Sequence, residues 1–312
     1  MEPWPKDIQR LVADKGNRSA QKRAWDLSVL FVSGNQWLTY DQGVQQYEVA
    51  RGGSRASSKV TVNLLLNVYR NILSRLSVEY PSIAVIPASP DAEDSVKAKS
   101  MELLLEYHWN SSEMKDTITV LIKNLLVMGT SAFHTFYDPD KGVVRTEAIS
   151  AYDLFFEEGV RSPEESSYTA IRSYHTKRNL KVAYPDMVDE IDGAEEVSPQ
   201  TGPTSSERTK NRVELHEFYW RDGRHCIVMG NTYLFKEEDY PIEPFPIQVV
   251  RYTSIPTRLW GIGLVQPLID LQWFYNKARS QLMQNVELMA NPKWLVPKTA
   301  GIDNASFTDK AG

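Results

Sequence analysis

Apolar residues recur at three- and four-residue steps along much of the chain, and this spacing predicts amphipathic helices. We expect helices over Arg18–Phe31, 61–79, Ala92–Trp109 and Met114–Met128. The fourth is apolar almost all the way round beyond Thr117, so we expect it to be deeply buried.

The hydrophobic period changes to two after Gly129, which predicts strands. Ala132–Tyr137 and Val143–Ile149 flank an Asp-Pro-Asp-Lys-Gly turn and predict a hairpin. Other short β-type runs predict strands at Ile83–Ile86, Thr169–Tyr174, Val213–Trp220, His225–Met229, Thr232–Phe235 and Ile247–Tyr252. Helices and strands in this arrangement predict an α+β fold.

Two polar stretches interrupt these elements. Residues 189–211 are rich in Asp, Glu, Ser, Thr, Pro and Gly, which predicts a disordered or flexible surface loop. An earlier stretch, small and turn-rich, contains Arg51, Arg55 and Lys59 and predicts an exposed loop. These three cations could touch DNA or an anionic partner surface, or simply be solvated.

The longest helical pattern runs from about Leu264 to Ala290 and stops at Asn291-Pro292. At about 1.5 Å per residue it would extend roughly 40 Å. One face is apolar, with Leu268, Leu271, Phe274, Ala278, Leu282, Val286 and Met289. Most other positions carry amides or hydroxyls. Such a face suits packing against polar neighbours or lining a wet channel, and a long surface helix stays an alternative.

Composition narrows the classes of function. The chain has 312 residues and a formal net charge of −5, which disfavours tight, sequence-specific DNA binding but leaves passive contact open. Its one cysteine, Cys226, excludes a disulfide within the chain. No uncharged apolar run approaches the roughly 20 residues that a membrane span needs. We expect a soluble protein without a membrane partner.

The sequence contains no motif of a common enzyme site. A phosphate-cradling Gly-rich loop is absent, and the five His residues lack zinc spacing. His225 and Cys226 could suggest a base and a nucleophile, but neighbours on a strand point to opposite faces. We therefore expect no enzyme activity, no metal and no cofactor.

The stretch from Tyr252 to Ser280 contains a Gly-x-Gly turn, followed by Gln272, Asn276 and Ser280 four residues apart on one helical face. In this arrangement the chain resembles the portal, or head–tail connector, proteins of tailed phages, notably short-tailed phages. Further segments resemble that family in the same order: Phe31–Trp37 with its Gly-x-Gln-Trp motif, Val62–Val68, Tyr80–Pro87, Asp91–Trp109 and Gly129–Phe133. Together they cover most of residues 31–295.

The resemblance implies a portal-like α+β architecture. Residues 1–59 would form an N-terminal helical arm and exposed loop, and residues 60–255 an α+β wing domain. Residues 256–291 would be the stem helix segment and 292–312 the start of the clip. Family members continue beyond such a helix with a clip, a returning stem helix, a channel loop and a crown, so the chain is expected to stop near the start of the clip.

The function that the resemblance implies is a ring of about twelve copies at one capsid vertex. The ring would be the channel for packaging and ejection of double-stranded DNA, held without sequence specificity. Expected partners are the major capsid protein, the scaffold, the head–tail adaptor and the terminase large subunit. The protein would be assembled in the host cytoplasm and reside in the virion.

The resemblance also implies roles for residues of the stem helix. Apolar residues such as Leu271 and Phe274 would contact neighbouring subunits and the body of the chain. The polar residues that would face the channel are Gln272, Asn276, Ser280 and Gln284.

Lys277 and Arg279 are the two cations near the middle of this helix. They would touch phosphate or pair with acidic groups of neighbouring subunits, and we favour the second. Gly261 and Gly263 would form a hinge before the stem. Two other classes stay open for the whole chain: another head–tail structural protein, such as an adaptor, and an α+β enzyme with an unrecognised site.

Overall fold

The computed structural model describes residues 4–6, 8–13, 16–42, 46–49, 59–78, 83–138, 142–199, 203, 211–241, 245–290 and 299. Helices and antiparallel sheets are both present, so the predicted α+β class is confirmed. The α-helices, in chain order, are α1 Gly16–Val32, α2 Leu64–Leu76, α3 Ala92–Ser111, α4 Met114–Met128, α5 Lys177–Ala183, α6 Val188–Gly193 and α7 Ile269–Ala290.

The strands, in chain order, are β1 Leu38–Asp41, β2 Gln46–Val49, β3 Thr130–Asp138, β4 Val143–Ser150, β5 Leu154–Phe156, β6 Tyr168–His175, β7 Val213–Trp220, β8 His225–Met229, β9 Thr232–Glu237 and β10 Ile247–Arg251. In the described residues they form a β1–β2 hairpin, a three-stranded sheet β10–β3–β4 and a five-stranded sheet β5–β6–β7–β8–β9. The predicted hairpin of β3 and β4 is confirmed, whereas β1, β2 and β5 were not predicted from the sequence.

The pairing of strands in the three-stranded sheet sets the point from which the chain continues towards α7. Its central strand, β3, pairs with β4 on one side and with the much later β10 on the other. The register places Arg251, at the end of β10, opposite Thr130, at the start of β3. The chain therefore leaves this sheet beside Gly129, the residue that caps the C-terminus of α4, and continues from there towards α7.

The main core lies between α1, the three-stranded sheet and the segment before α7. Trp25 on α1 is buried, with its ring 5.5 Å from that of Tyr152 and 5.0 Å from that of Trp260, both edge-on. Burying one such aromatic side chain contributes roughly 2–3 kcal/mol. The predicted helix at the start of the chain thus packs in the same core as the central sheet.

A second core lies on the face of the five-stranded sheet that points away from the main core. Phe218, Cys226 and Val228 are buried there, and Ile8 from the N-terminal segment packs against them. The Tyr233 hydroxyl donates a hydrogen bond to the Pro5 carbonyl at 2.6 Å. The first residues of the chain therefore shield this sheet from water.

The predicted strand at Ile83–Ile86 is wrong. The structure has no strand over residues 83–87, and the Ile86 side chain is 87% exposed. This run is apolar but lies between two prolines, and among the described residues no strand pairs with its backbone.

The prediction of a flexible loop over 189–211 is wrong for its first part. Helix α6 continues to Gly193, and its Ile191 side chain is fully buried against Leu180 and Val213. Val197 forms a β-bridge with Arg212. Burial of the Ile191 side chain in this core orders the segment around it. Residues 200–202 and 204–210 lie outside the described part.

Helix α4 is only partly buried, contrary to the prediction. Leu121, Leu126 and Met128 are buried, whereas Val120 is exposed. No described residue of α3 is buried. Both helices pack on the β3–β4 hairpin, and α4 also contacts α1 and α2, whereas much of α3 stays in solvent.

Candidate assembly site on the closing helix

Helix α7 begins at Ile269, five residues later than predicted, after a 3-10 turn over Gln266–Leu268. The backbone N–H of Val265 donates to the Leu126 carbonyl at 3.2 Å, and the Val265 side chain is fully buried. These contacts hold residues before the helix against α4. At about 1.5 Å per residue, α7 itself is roughly 33 Å long.

The polar stripe of α7 is its buried face. Gln272, Asn276 and Ser280 are all buried, Asn276 completely. The groups that cover them belong to the same chain: Val60 and Val62 before α2, and Leu65 in the first turn of α2. The expectation that these three residues face a channel is therefore wrong, because each already has hydrogen-bond partners inside the protein.

The stripe binds main-chain groups. The Gln272 side chain accepts from the Leu65 N–H at 3.1 Å and donates to the Val62 carbonyl at 2.7 Å. Asn276 Oδ1 accepts from the Val62 N–H at 3.1 Å. Ser280 Oγ accepts from the Val60 N–H at 3.0 Å. We name these three side chains, with Gln36, the amide ladder.

The spacing of the ladder explains how a helix can recognise an extended chain. Four helical residues advance about 6 Å, and two extended residues advance about 6.6 Å. Ser280 and Asn276, four residues apart on α7, therefore meet the N–H groups of Val60 and Val62, two residues apart in a segment that runs antiparallel to the helix. Gln272 then meets the Leu65 N–H in the first turn of α2. Val60 pairs with the later Ser280 and Leu65 with the earlier Gln272.

Gln36 completes the ladder from the turn that follows α1. Asn276 Nδ2 donates to Gln36 Oε1 at 2.5 Å, and Gln36 Nε2 donates to the Phe31 carbonyl at 2.9 Å. Gln36 is buried, as an amide with both ends satisfied can be. The site thus joins α1, the segment before α2 and α7 through one buried polar network.

The apolar stripe of α7 is its exposed face. Leu271 is 66% exposed, Phe274 61% and Met289 80%. Leu282 and Val286 are exposed as well. In a single copy of the chain, α7 therefore buries Gln272, Asn276 and Ser280 after Ile269 and leaves its large aliphatic and aromatic side chains beyond Ile269 largely in solvent, the reverse of an ordinary surface helix.

The two predicted cations of α7 are exposed and contact aromatic rings of the same helix. Lys277 Nζ lies 5.0 Å from the centre of the Trp273 ring, and Arg279 Nε donates to the Tyr275 hydroxyl at 3.0 Å. Gln284 is half-buried. Their predicted contacts with DNA or another subunit stay predictions.

Two of the three cations predicted to touch an anionic partner, Arg51 and Arg55, lie outside the described residues. Lys59 is exposed and directly precedes Val60, which is bound to the ladder. It therefore lies close to the middle of α7, and its role stays a prediction.

Gly261 and Gly263 lie in a packed junction, in place of the predicted hinge. A Cβ at Gly261 would lie 2.5 Å from the Gly129 carbonyl oxygen, and one at Gly263 would lie 2.8 Å from the Leu126 carbonyl oxygen. Gly129 itself has φ +81°, and the Gly261 N–H donates to Thr130 Oγ1 at 2.9 Å. Backbone packs directly on backbone here, which only glycine allows.

Residues 174–311 match the family model described as phage P22-like portal protein. The resemblance to tailed-phage portal proteins is confirmed. A search of curated proteins finds no match to the chain. The matched segment starts at the end of β6 and includes the glycine junction and all of α7. The exposed apolar stripe therefore lies within the segment that matches the portal family.

The family match supports a phage portal role in the virion, with capsid-associated oligomeric assembly. Portal proteins form a structural family, not an enzymatic one. Within the described residues, no cluster of His, Cys, Asp and Glu could hold a metal ion. None of the described helices is long and apolar enough to cross a membrane.

His225 and Cys226 do not form a nucleophile–base pair in this structure. His225 Nε2 lies 2.9 Å from Glu217 Oε1, and its ring stacks on Tyr219. Cys226 belongs to the second core, where burial raises the pKa of its thiol to about 12. A thiol with that pKa stays protonated and is a weak nucleophile.

The sequence pattern identified most of the ladder but not its orientation. Gln36 belongs to the Gly-x-Gln-Trp motif, but the sequence assigned it no role. The main-chain groups of Val62 cannot be predicted as hydrogen-bond partners from the sequence. The missing information was spatial, since Gln36 and Asn276 are 240 residues apart.

Proposed function

We propose that this chain is a portal protein that forms a ring of about twelve copies at one capsid vertex. The ring is the channel through which double-stranded DNA enters and leaves the capsid. The observation that supports this proposal is the exposed apolar stripe of α7, Leu271–Phe274–Leu282–Val286–Met289, within the segment that matches the portal family.

The stripe needs a partner for a physical reason. Each large apolar side chain that leaves water contributes about 1.5–3 kcal/mol when fully buried. The chain's own core cannot supply this burial, because the opposite face of α7 is hydrogen-bonded to Val62 before α2 and to Leu65 in its first turn. A second copy of the chain is the occupant that we propose, with each α7 packed against the next subunit around a closed ring.

The remaining parts have the following proposed roles. Residues 1–59 are an N-terminal arm, 60–255 the wing, 256–291 the stem segment and 292–312 the start of the clip. The wing contacts the major capsid protein and the scaffold. The clip contacts the terminase large subunit during packaging and the head–tail adaptor afterwards, and the protein is assembled in the host cytoplasm.

The channel holds DNA loosely in this proposal. A net charge of −5 limits the attraction of the chain for phosphate. Because the ladder residues are buried, the predicted polar site residues of α7 that can still face DNA or a neighbour are Gln284, Lys277 and Arg279. We assign the two cations to acidic groups of the neighbouring subunit, where they would not slow the passage of DNA.

Assembly tests the proposal. Full-length protein at high concentration is examined by mass photometry and negative-stain microscopy, where rings of about a dozen subunits are expected. Leu271→Asp and Phe274→Asp each place a charge in the stripe and should abolish rings while circular dichroism still shows the folded chain. Val182→Asp changes an apolar residue on α5 that is even more exposed and should leave rings intact.

Two results would contradict the proposal. One is a wild-type full-length protein that stays strictly monomeric at every concentration. The other is unchanged ring formation by both α7 variants, since it would show that the stripe is not part of the contact between copies.

A further inference from the structure

The amide ladder determines which face of α7 is available to other molecules. An amphipathic helix that lies on a protein body would ordinarily turn its apolar face inward, because burial of apolar surface is the largest favourable term in folding. In this chain the opposite orientation is observed. Some specific interaction must therefore oppose the rotation that would bury the stripe.

The ladder supplies that interaction. In the observed orientation, the N–H groups of Val60, Val62 and Leu65 all have partners on α7. Rotation of the helix about its axis would leave these groups, and the carbonyl of Val62, facing aliphatic side chains. A buried polar group without a partner is strongly unfavourable, so the rotated state is disfavoured.

We propose that Gln36, Gln272, Asn276 and Ser280 act as an orientation lock, which holds the apolar stripe of α7 outward so that a second copy of this chain can bind it. This inference rests on the proposed function for the identity of the partner. The four side chains are positioning residues, because none of them contacts that partner. Their role explains why three segments far apart in the sequence converge on Asn276.

The lock also couples three parts of the chain. Gln36 follows α1, and the Asn63 side chain next to the ladder donates to the Val32 carbonyl at 3.0 Å and accepts from the Leu66 N–H at 3.0 Å. The end of α1, the start of α2 and the first half of α7 are therefore fixed to one another before any partner binds. A surface that is rigid before binding loses less conformational entropy in the complex.

Thiol labelling tests the lock directly, because the one native cysteine is fully buried. The reporter Phe274→Cys is introduced on the stripe, and its reaction rate with a maleimide is measured on the full chain in the monomer fraction from size-exclusion chromatography. The lock is removed by Gln272→Met with Asn276→Leu, which keep the side-chain shapes and remove the amides. The control is Leu126→Ala, which weakens the core without touching the ladder.

The expected result is labelling about ten-fold slower in the Gln272→Met/Asn276→Leu protein, equivalent to about 1.4 kcal/mol of protection. The same protein should bind less of a hydrophobic dye, since its stripe turns inward. The Leu126→Ala control should show neither effect. Restoring Asn276 alone should recover part of the rapid labelling.

Unchanged labelling would overturn the lock, because α7 would then keep its orientation without the amides. Faster labelling together with more dye binding would also overturn it, because the ladder would then only stabilise the fold. These measurements are made on monomers, so they are independent of whether the wild-type chain forms rings. A failure of the lock is thus distinguishable from a failure of the proposed function.

Discussion

Asn276 on α7 donates a hydrogen bond to Gln36, which lies 240 residues earlier in the chain, with 2.5 Å between Nδ2 and Oε1. Neither residue is charged, and Gln272 donates to the same Asn276 side chain at 3.0 Å. Because this contact holds the polar face of the helix inside, the apolar face stays outside. In our proposal, the position of the interaction surface thus depends on a hydrogen bond on the opposite side of the helix.

Asn276→Asp tests the buried ladder by a change of one functional group. The carboxylate cannot donate to Gln36, and its charge has no cation among the ladder residues. We expect the free energy of unfolding at neutral pH to fall by about 3 kcal/mol. Urea denaturation measures it, with Asn71→Asp on the exposed face of α2 as the control. Equal effects of the two substitutions would mean that Asn276 is not buried in solution.

Gly261→Ala tests the packed junction. The new methyl group would lie 2.5 Å from the Gly129 carbonyl oxygen, and backbone on both sides would have to move. We expect a loss of about 1–3 kcal/mol in the free energy of unfolding. Gly193→Ala, which meets nothing within 4 Å, is the matched control and should change it little. A Gly261→Ala protein as stable as the wild type would restore the hinge interpretation.

Leu126→Ala tests where the core lies. Leu126 on α4 is fully buried, so the substitution should lower the free energy of unfolding by about 2–5 kcal/mol. Leu103→Ala on α3 removes the same atoms from a side chain that is 56% exposed and should cost less than about 0.5 kcal/mol in the monomer. A large effect at Leu103 in the monomer would show that α3 is covered by other residues of the chain.

His216 predicts a loss of stability in acid. Burial lowers its pKa to about 4, and Arg172 and Arg18 act in the same direction. Between an unfolded pKa of about 6.5 and this value, the unfolded chain binds a proton that the folded chain does not. His216 therefore leaves the free energy of unfolding unchanged above about pH 6.5. As the pH falls below that value, it lowers this free energy, by at most about 3 kcal/mol at pH 4.

The variant His216→Gln should remove this contribution. Its free energy of unfolding in urea, measured from about pH 7 down to about pH 4.5, should fall less steeply than that of the wild type. Val228→Ala on the neighbouring β8 weakens the same sheet without removing a titrating group and should keep the wild-type slope. Identical slopes for His216→Gln and the wild type would contradict the assignment.

Periodicity alone determined much of the fold. The three- and four-residue spacing located α1, α2, α3, α4 and α7, and alternation located the β3–β4 hairpin and the strands β6 to β10, because these patterns follow directly from backbone geometry. It failed at Ile83–Ile86 and at Ile191. In both cases the outcome depended on whether another part of the chain lay close enough to bury the apolar side chains.

The sequence also determined that α7 has one apolar and one amide-rich face, and it brought out the likeness to portal proteins. It could not determine which face turns inward. That was decided by the tertiary structure. The hydrogen-bond partners of Gln272, Asn276 and Ser280 are main-chain groups of Val60, Val62 and Leu65. Such groups are common to nearly all amino acids, so the sequence does not mark them as partners. Only their positions in space make the polar face the inner one, and leave Leu271 and Phe274 for a partner.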